Sequence, residues 1–156
     1  MSEDTGREAE LTALQAALAA EHAAVYGYGV VGGRIDEAGR DRARAAHDAH
    51  RARRDALARQ VRDRGGEPVA AAAGYALPFS VPDPPAAVRL AAELEDRVAG
   101  VYSDLVRAAG GELRATAAEG LREAAVRAVG WRGGSVAFPG LAERSEAASA
   151  SPAPSA

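Results

Sequence analysis

Cysteine is absent from the 156-residue chain, and all 19 of its basic residues are arginine, with no lysine. Without cysteine there can be no disulfide, no thiolate metal site and no thiol nucleophile. Aromatic residues are scarce at 4%, and strand-forming types are few, so a β-rich core is disfavoured. Imidazole chemistry is limited to His22, His47 and His50. No apolar run approaches the roughly 18 residues that cross a bilayer, so no membrane partner is expected. The stretch Met1-Ser2-Glu3-Asp4-Thr5-Gly6 is acidic and has no apolar region of the signal-peptide kind, so a cytoplasmic protein is expected. A dominant charge sign is missing too: 22 acids oppose 19 bases, a net charge of −3. Nothing globally polybasic draws the chain to nucleic acid. There is also no Gly-rich phosphate loop after a strand and no Ser-His-Asp set in a readable context.

What is present is abundant alanine and arginine, both strong helix formers, and the chain is long enough for one domain with a real core. The expected class is all-α, with four punctuated helices. The first opens at a candidate capping box, Thr5-Gly6-Arg7-Glu8, and runs to Gly32-Gly33. The second follows a turn through 34–39 and ends at Gly65-Gly66. A long connection, 67–83, carries the apolar run Tyr75-Ala76-Leu77-Pro78-Phe79. Asp83-Pro84-Pro85 then reads as an N-cap with proline in the first turn. The third helix stops at Gly110-Gly111, and the fourth covers about 112–131. Residues 1–140 are expected to form the bundle, and the Ala/Ser/Pro-rich 141–156 a disordered tail. Two short hairpins joined by one long link predict a ferritin-like antiparallel four-helix bundle, with the long connection between helices two and three. The Tyr75–Phe79 run is expected to lie across the bundle end as a lid.

The candidate site starts from a carboxylate in the wrong place. Leu11, Leu14, Leu18, Glu21, Val25 and Tyr28 repeat at 3-4-3-4-3, the seam of a packed helix, with Glu21 at its centre. A buried carboxylate is costly unless a metal, a cation or hydrogen-bond donors compensate it. On helix two, His50 lies seven residues before Leu57, about 20° away around the axis, and so faces the core. His47 is one turn earlier, on its flank. On helix three Glu95 is the best inward acid, while Glu93 and Asp96 look outward. Helix four, with a seam of Leu113, Ala117, Leu121, Ala124 and Ala128, contains no histidine, and Glu123 stands at the edge of that seam. A di-metal bundle site needs ligands from all four helices, so the expected set is reduced: Glu21, His50, Glu95 and His47, able to hold one iron or manganese ion.

The runs Leu18-Ala19-Ala20-Glu21-His22-Ala23-Ala24-Val25-Tyr26-Gly27-Tyr28-Gly29, Ala49-His50-Arg51-Ala52-Arg53-Arg54-Asp55, Tyr75–Phe79, Leu94-Glu95-Asp96 and Ala128-Val129-Gly130-Trp131-Arg132 resemble, in that order, a ferritin-like family of unknown function. The resemblance spans about residues 11–131. It implies a ferritin-like four-helix bundle and carries no demonstrated activity.

Several readings stay open on the sequence. The cluster can be a metal site, or a buried polar group in which Glu21 pairs with His50 or with an arginine from positions 53, 54, 97 or 127. The number of arginines within reach favours the second. The function expected is therefore a non-catalytic ferritin-like domain of unassigned activity that retains at most one metal ion. The alternatives are an iron- or manganese-dependent oxidoreductase, and a binding module that uses the Arg-rich second helix or the Tyr75–Phe79 loop. His22 is expected at a surface or inter-helix position. Tyr26, Tyr28, Tyr75 and Tyr102 read as core or boundary residues whose hydroxyls find partners. On helix two, aspartates at 41, 48, 55 and 63 interleave with the arginines, so nucleic-acid binding is disfavoured. Bundles of this type often form homodimers, although no exposed apolar stripe stands out.

Overall fold

The computed structural model describes residues 2–133, and within them the chain forms four α-helices: α1 (Ser2–Arg34), α2 (Glu37–Asp63), α3 (Pro84–Ala108) and α4 (Gly111–Arg132). No strand occurs among the described residues, as expected of a chain this rich in helix formers. The expected tail from 141 lies outside the described residues. No helix is long and apolar enough to cross a membrane.

Two aspartate N-caps form, of which the one at Asp83 was expected and the one at Asp36 was not. Asp36 precedes α2 and its side chain accepts from the Gly39 amide. Asp83 does the same for α3 from the Ala86 amide, with proline in the first turn, where its missing N–H costs nothing. The capping box at Thr5 does not open α1: the helix begins at Ser2, so Thr5 and Glu8 lie inside it.

Cross-helix pairs fix the topology. Arg64 bonds Glu10 and His50 bonds Glu21, so α2 runs antiparallel to α1. Tyr102 bonds Glu21 and Tyr28 bonds Glu95, so α3 is also antiparallel to α1. The indole of Trp131, near the end of α4, reaches Tyr28 near the end of α1, which makes those two helices parallel. Helices α2 and α3 therefore point the same way, and 64–83 must climb the length of the bundle. It does so along α1: Gln15 bonds the carbonyl of Glu67 and the amide of Val69, His22 bonds the Val69 carbonyl, and the Tyr26 and Tyr75 rings meet at 5.5 Å. The expected long connection is thus a true crossover, and His22 is its tether on α1. Leu77, Phe79 and Val81 pack against the core from the side. The Tyr75–Phe79 run covers the flank between α1 and α3; it does not lie across an end as expected, because the crossover reaches the far end only at Asp83.

Two apolar clusters fill the interior. One gathers Leu14, Leu18, Leu57, Val61, Leu105 and Leu113. The other gathers Val31, Ile35, Leu90, Leu94 and Trp131. Helix α1 packs against α2 and α3, and α3 against α4. Close approach is permitted by glycine at two positions. A Cβ on Gly27 would stand 2.6 Å from Leu94, and one on Gly120 would stand 2.8 Å from the Tyr102 ring. The seam between α2 and α4 is bridged by long side chains: Arg53 reaches Glu123 at 3.0 Å, and Arg42 stacks over Trp131 at 3.9 Å while donating to the Gly130 carbonyl.

Candidate functional site: a closed Glu–His–Glu layer

Between the two apolar clusters lie the charged or polar side chains that are buried among the described residues: Glu21 and His50 at 1% exposure and Glu95 at 0%. Each was expected to face inward from the phase of its own helix, and the fold brings the three together. His50 is the bridge. Its Nδ1 lies 2.6 Å from Glu21 Oε2, and its Nε2 lies 3.1 Å from Glu95 Oε1. Two hydroxyls complete the shell. Tyr102 donates to Glu21 Oε1 at 2.7 Å, and Tyr28 donates to Glu95 Oε1 at 2.5 Å. Trp131 donates in turn to the Tyr28 hydroxyl at 2.9 Å.

The chemistry of these atoms assigns the protons. Ionised carboxylates only accept, so a ring with a carboxylate at each nitrogen is satisfied only as imidazolium, with both N–H groups donating. Burial by itself would lower the His50 pKa. The hydrogen bonds that the ring donates to Glu21 and Glu95, and the negative charges of those carboxylates, together outweigh burial and push it up to about 9. Tyr28 and Tyr102 are driven the same way, mainly by burial and then by the adjacent carboxylates, so both remain neutral donors. Glu95 Oε2 has no hydrogen-bond partner, but the Arg127 guanidinium from α4 lies 3.6 Å away. Two carboxylates thus face one imidazolium and one guanidinium, and the layer balances its own charge.

The remaining expected partners go elsewhere. His47 is half-buried on the flank of α2, with its Nδ1 3.7 Å from Asp48; it does not join Glu21, His50 and Glu95. Three of the four arginines proposed as neutralisers are engaged with other acids: Arg53 with Glu123, Arg54 with Asp55, Arg97 with Glu93. Of the four only Arg127 approaches the layer, and it is shared with Glu123, at 3.5 Å. Helix α4, from which no metal ligand was expected, supplies Arg127, Trp131 and the gap at Gly120 that seats Tyr102. The signal was in its heptad phase. Positions 113, 120 and 127 recur every seven residues, as do 117, 124 and 131, so Arg127 and Trp131 share the inward stripe.

A dinuclear centre does not fit this layer. Toward the centre α4 presents Ala117, Gly120 and Ala124 instead of ligands, and both ring nitrogens of the one central histidine are taken up by carboxylates. Among the described residues no group of three or more His, Asp or Glu is arranged to hold a metal ion. Access is closed as well. A cleft of about 560 Å³ opens between α1, α3 and the crossover, lined by Ala20, Ala24, Tyr75, Leu77 and Val98, but none of Glu21, His50 and Glu95 lines it.

A family model described as a domain of unknown function, DUF4439, matches residues 13–143. The chain belongs to the DUF4439 family. A crystal structure of a conserved hypothetical protein from Mycobacterium tuberculosis, rv2844, is similar to this DUF4439 chain at a TM-score of 0.78 and 36% sequence identity, over 80% of this chain and 96% of that one. None of the curated proteins matches. The shared fold and family therefore leave the activity unassigned.

Proposed function

We propose that the protein is a ferritin-like bundle in which the position of a metal centre is held by a self-neutralised Glu21–His50–Glu95 layer, and that this layer is structural and not catalytic. The single observation that carries the reading is the double engagement of His50: an imidazole that donates from both nitrogens has no lone pair to offer a metal. The long crossover between parallel α2 and α3 supports the ferritin-like assignment, since that connectivity marks such folds.

A structural layer has a task here. The core is dominated by alanine, whose short side chains interlock weakly and leave neighbouring helices free to slide. Hydrogen bonds that must be satisfied act only in one axial alignment, as buried polar residues do in coiled coils. Every helix takes part: Glu21 and Tyr28 from α1, His50 from α2, Glu95 and Tyr102 from α3, Arg127 and Trp131 from α4. The layer sits between the two apolar clusters and pins the register of all four.

The competing reading is an oxidoreductase with one iron or manganese ion on Glu21, His50 and Glu95. It requires His50 to give up a proton and at least one carboxylate contact, and it is favoured only by the unpartnered Glu95 Oε2. Metal analysis of the protein expressed in iron- and manganese-supplemented medium separates the two. The structural reading expects no stoichiometric metal. An equivalent of metal that disappears in both Glu21→Ala and His50→Ala would overturn it.

A further inference from the structure

The outward flank of α2 carries a feature that the central layer does not use. Arg40, Arg44 and His47 recur at i, i+4 and i+7, which places them on one face of the helix. They line a cleft of about 210 Å³ against α1, whose wall there is Tyr28, Gly29 and Gly32. The two arginines make no hydrogen bond or ion pair with any described residue. This sets them apart from Arg51, Arg53 and Arg54 further along α2, which meet Asp48, Glu123 and Asp55. No acid lines the cleft; Asp48, beside it on α2, lies 3.7 Å from Nδ1 of His47, whose Nε2 has no partner among the described residues.

The opposite wall is shaped for access. Gly27, two residues earlier, is required by the contact with Leu94. Gly29 and Gly32 have no such reason, since a Cβ on either would meet nothing within 4 Å. Glycine inside a helix lowers its stability relative to alanine, so these two positions cost the helix something and leave open space beside the arginines. Two unpaired guanidinium groups and an imidazole around a small open volume suit a compact oxyanion. Guanidinium forks match phosphate geometry with paired hydrogen bonds.

We propose that this cleft binds a small phosphate monoester, its phosphate held by Arg40, Arg44 and His47 and its organic part lying over Gly29 and Gly32. The proposed phosphate contacts use none of Glu21, His50 and Glu95, so a metal found at Glu21 and His50 would leave them standing.

The test is a calorimetric titration of the full chain with inorganic phosphate and with glycerol phosphate at constant ionic strength. Saturable one-site binding of both is expected. The double variant Arg40→Gln/Arg44→Gln should weaken it at least tenfold. Gly32→Leu, which fills the cleft and keeps both arginines, should weaken glycerol phosphate more than inorganic phosphate. Arg59→Gln/Arg62→Gln should change neither, and thermal melts should show all variants folded. On addition of phosphate the His47 ring resonances should move and those of His50 should not. Absence of saturable binding would overturn the proposal, as would equal losses in the two double variants, which signal diffuse attraction to a polyanion. Binding of inorganic phosphate with rejection of glycerol phosphate would overturn the monoester assignment.

Discussion

His47 and His50 stand one turn apart on α2 and live in opposite physical worlds. His50 is enclosed, with a carboxylate at each ring nitrogen and its charge fixed by them. His47 is half-buried on the flank, has one distant acid, and looks into an open cleft beside arginines that have none. A rotation of about 60° around the helix axis separates them. It decides whether an imidazole is a structural cation or a group available to a ligand. Helical phase, more than residue type, sets what each histidine can do.

The comparison breaks most sharply at the buried ring. His50→Ala leaves two carboxylates in the core with only Arg127 to compensate them, and removing one partner of a buried pair costs about 3–5 kcal/mol. His47→Ala, on the flank, should stay within about 0.5 kcal/mol of the wild type. Urea unfolding of both variants at pH 7 measures the contrast; equal losses would dissolve it.

Alkaline pH gives the next largest effect. His50 carries a folded-state pKa of about 9 against 6.5 as its ordinary value, so the folded protein holds the proton more tightly than the unfolded chain. That stabilisation is fully present below about pH 6.5 and is lost as pH rises through 9. The shift corresponds to roughly 3 kcal/mol at about 1.4 kcal/mol per pH unit. Tyr28 and Tyr102, both raised above their ordinary value, push in the same direction at still higher pH. Unfolding free energy should therefore fall between pH 7 and pH 10 in the wild type and far less in His50→Gln. A wild-type curve that is flat over that interval would contradict the charge assignment.

Smaller effects sharpen the account of the shell. Tyr102→Phe removes one donor from Glu21, and Tyr28→Phe removes a donor from Glu95 and strands the Trp131 N–H. Each should cost about 1–3 kcal/mol, the penalty for buried groups left unsatisfied. Gly120→Ala should cost a similar amount, about 1–3 kcal/mol, by pressing a methyl against the Tyr102 ring. Chemical denaturation of the three variants checks the values. A Gly120→Ala protein more stable than the wild type would show that the ring gives way freely.

The pattern of what was legible follows from these contacts. Glu21, His50 and Glu95 were readable because each is a polar residue in phase with an apolar stripe on its own helix, and phase is a local property of sequence. The four helices and the crossover were readable from Gly and Asp-Pro punctuation, with boundaries displaced by only a few residues. The capping box at Thr5 failed because its pattern recurs inside a helix that had already started. His47 was drawn into the site because phase alone cannot say how wide the buried stripe is. Arg127 was one of four arginines within reach, and only the heptad phase it shares with Gly120 singles it out. The lid expected over the bundle end became a flank cover, since the route of a crossover is set by the helices it must pass.

The most direct test of the central claim is nitrogen-15 NMR of the His50 ring in the full chain. Both ring nitrogens should show imidazolium shifts at pH 7.5, titrate together near pH 9, and be unmoved by added iron(II), manganese(II) or chelator. A neutral tautomer at pH 7.5, or His50 signals lost on addition of either metal, would contradict the self-neutralised layer.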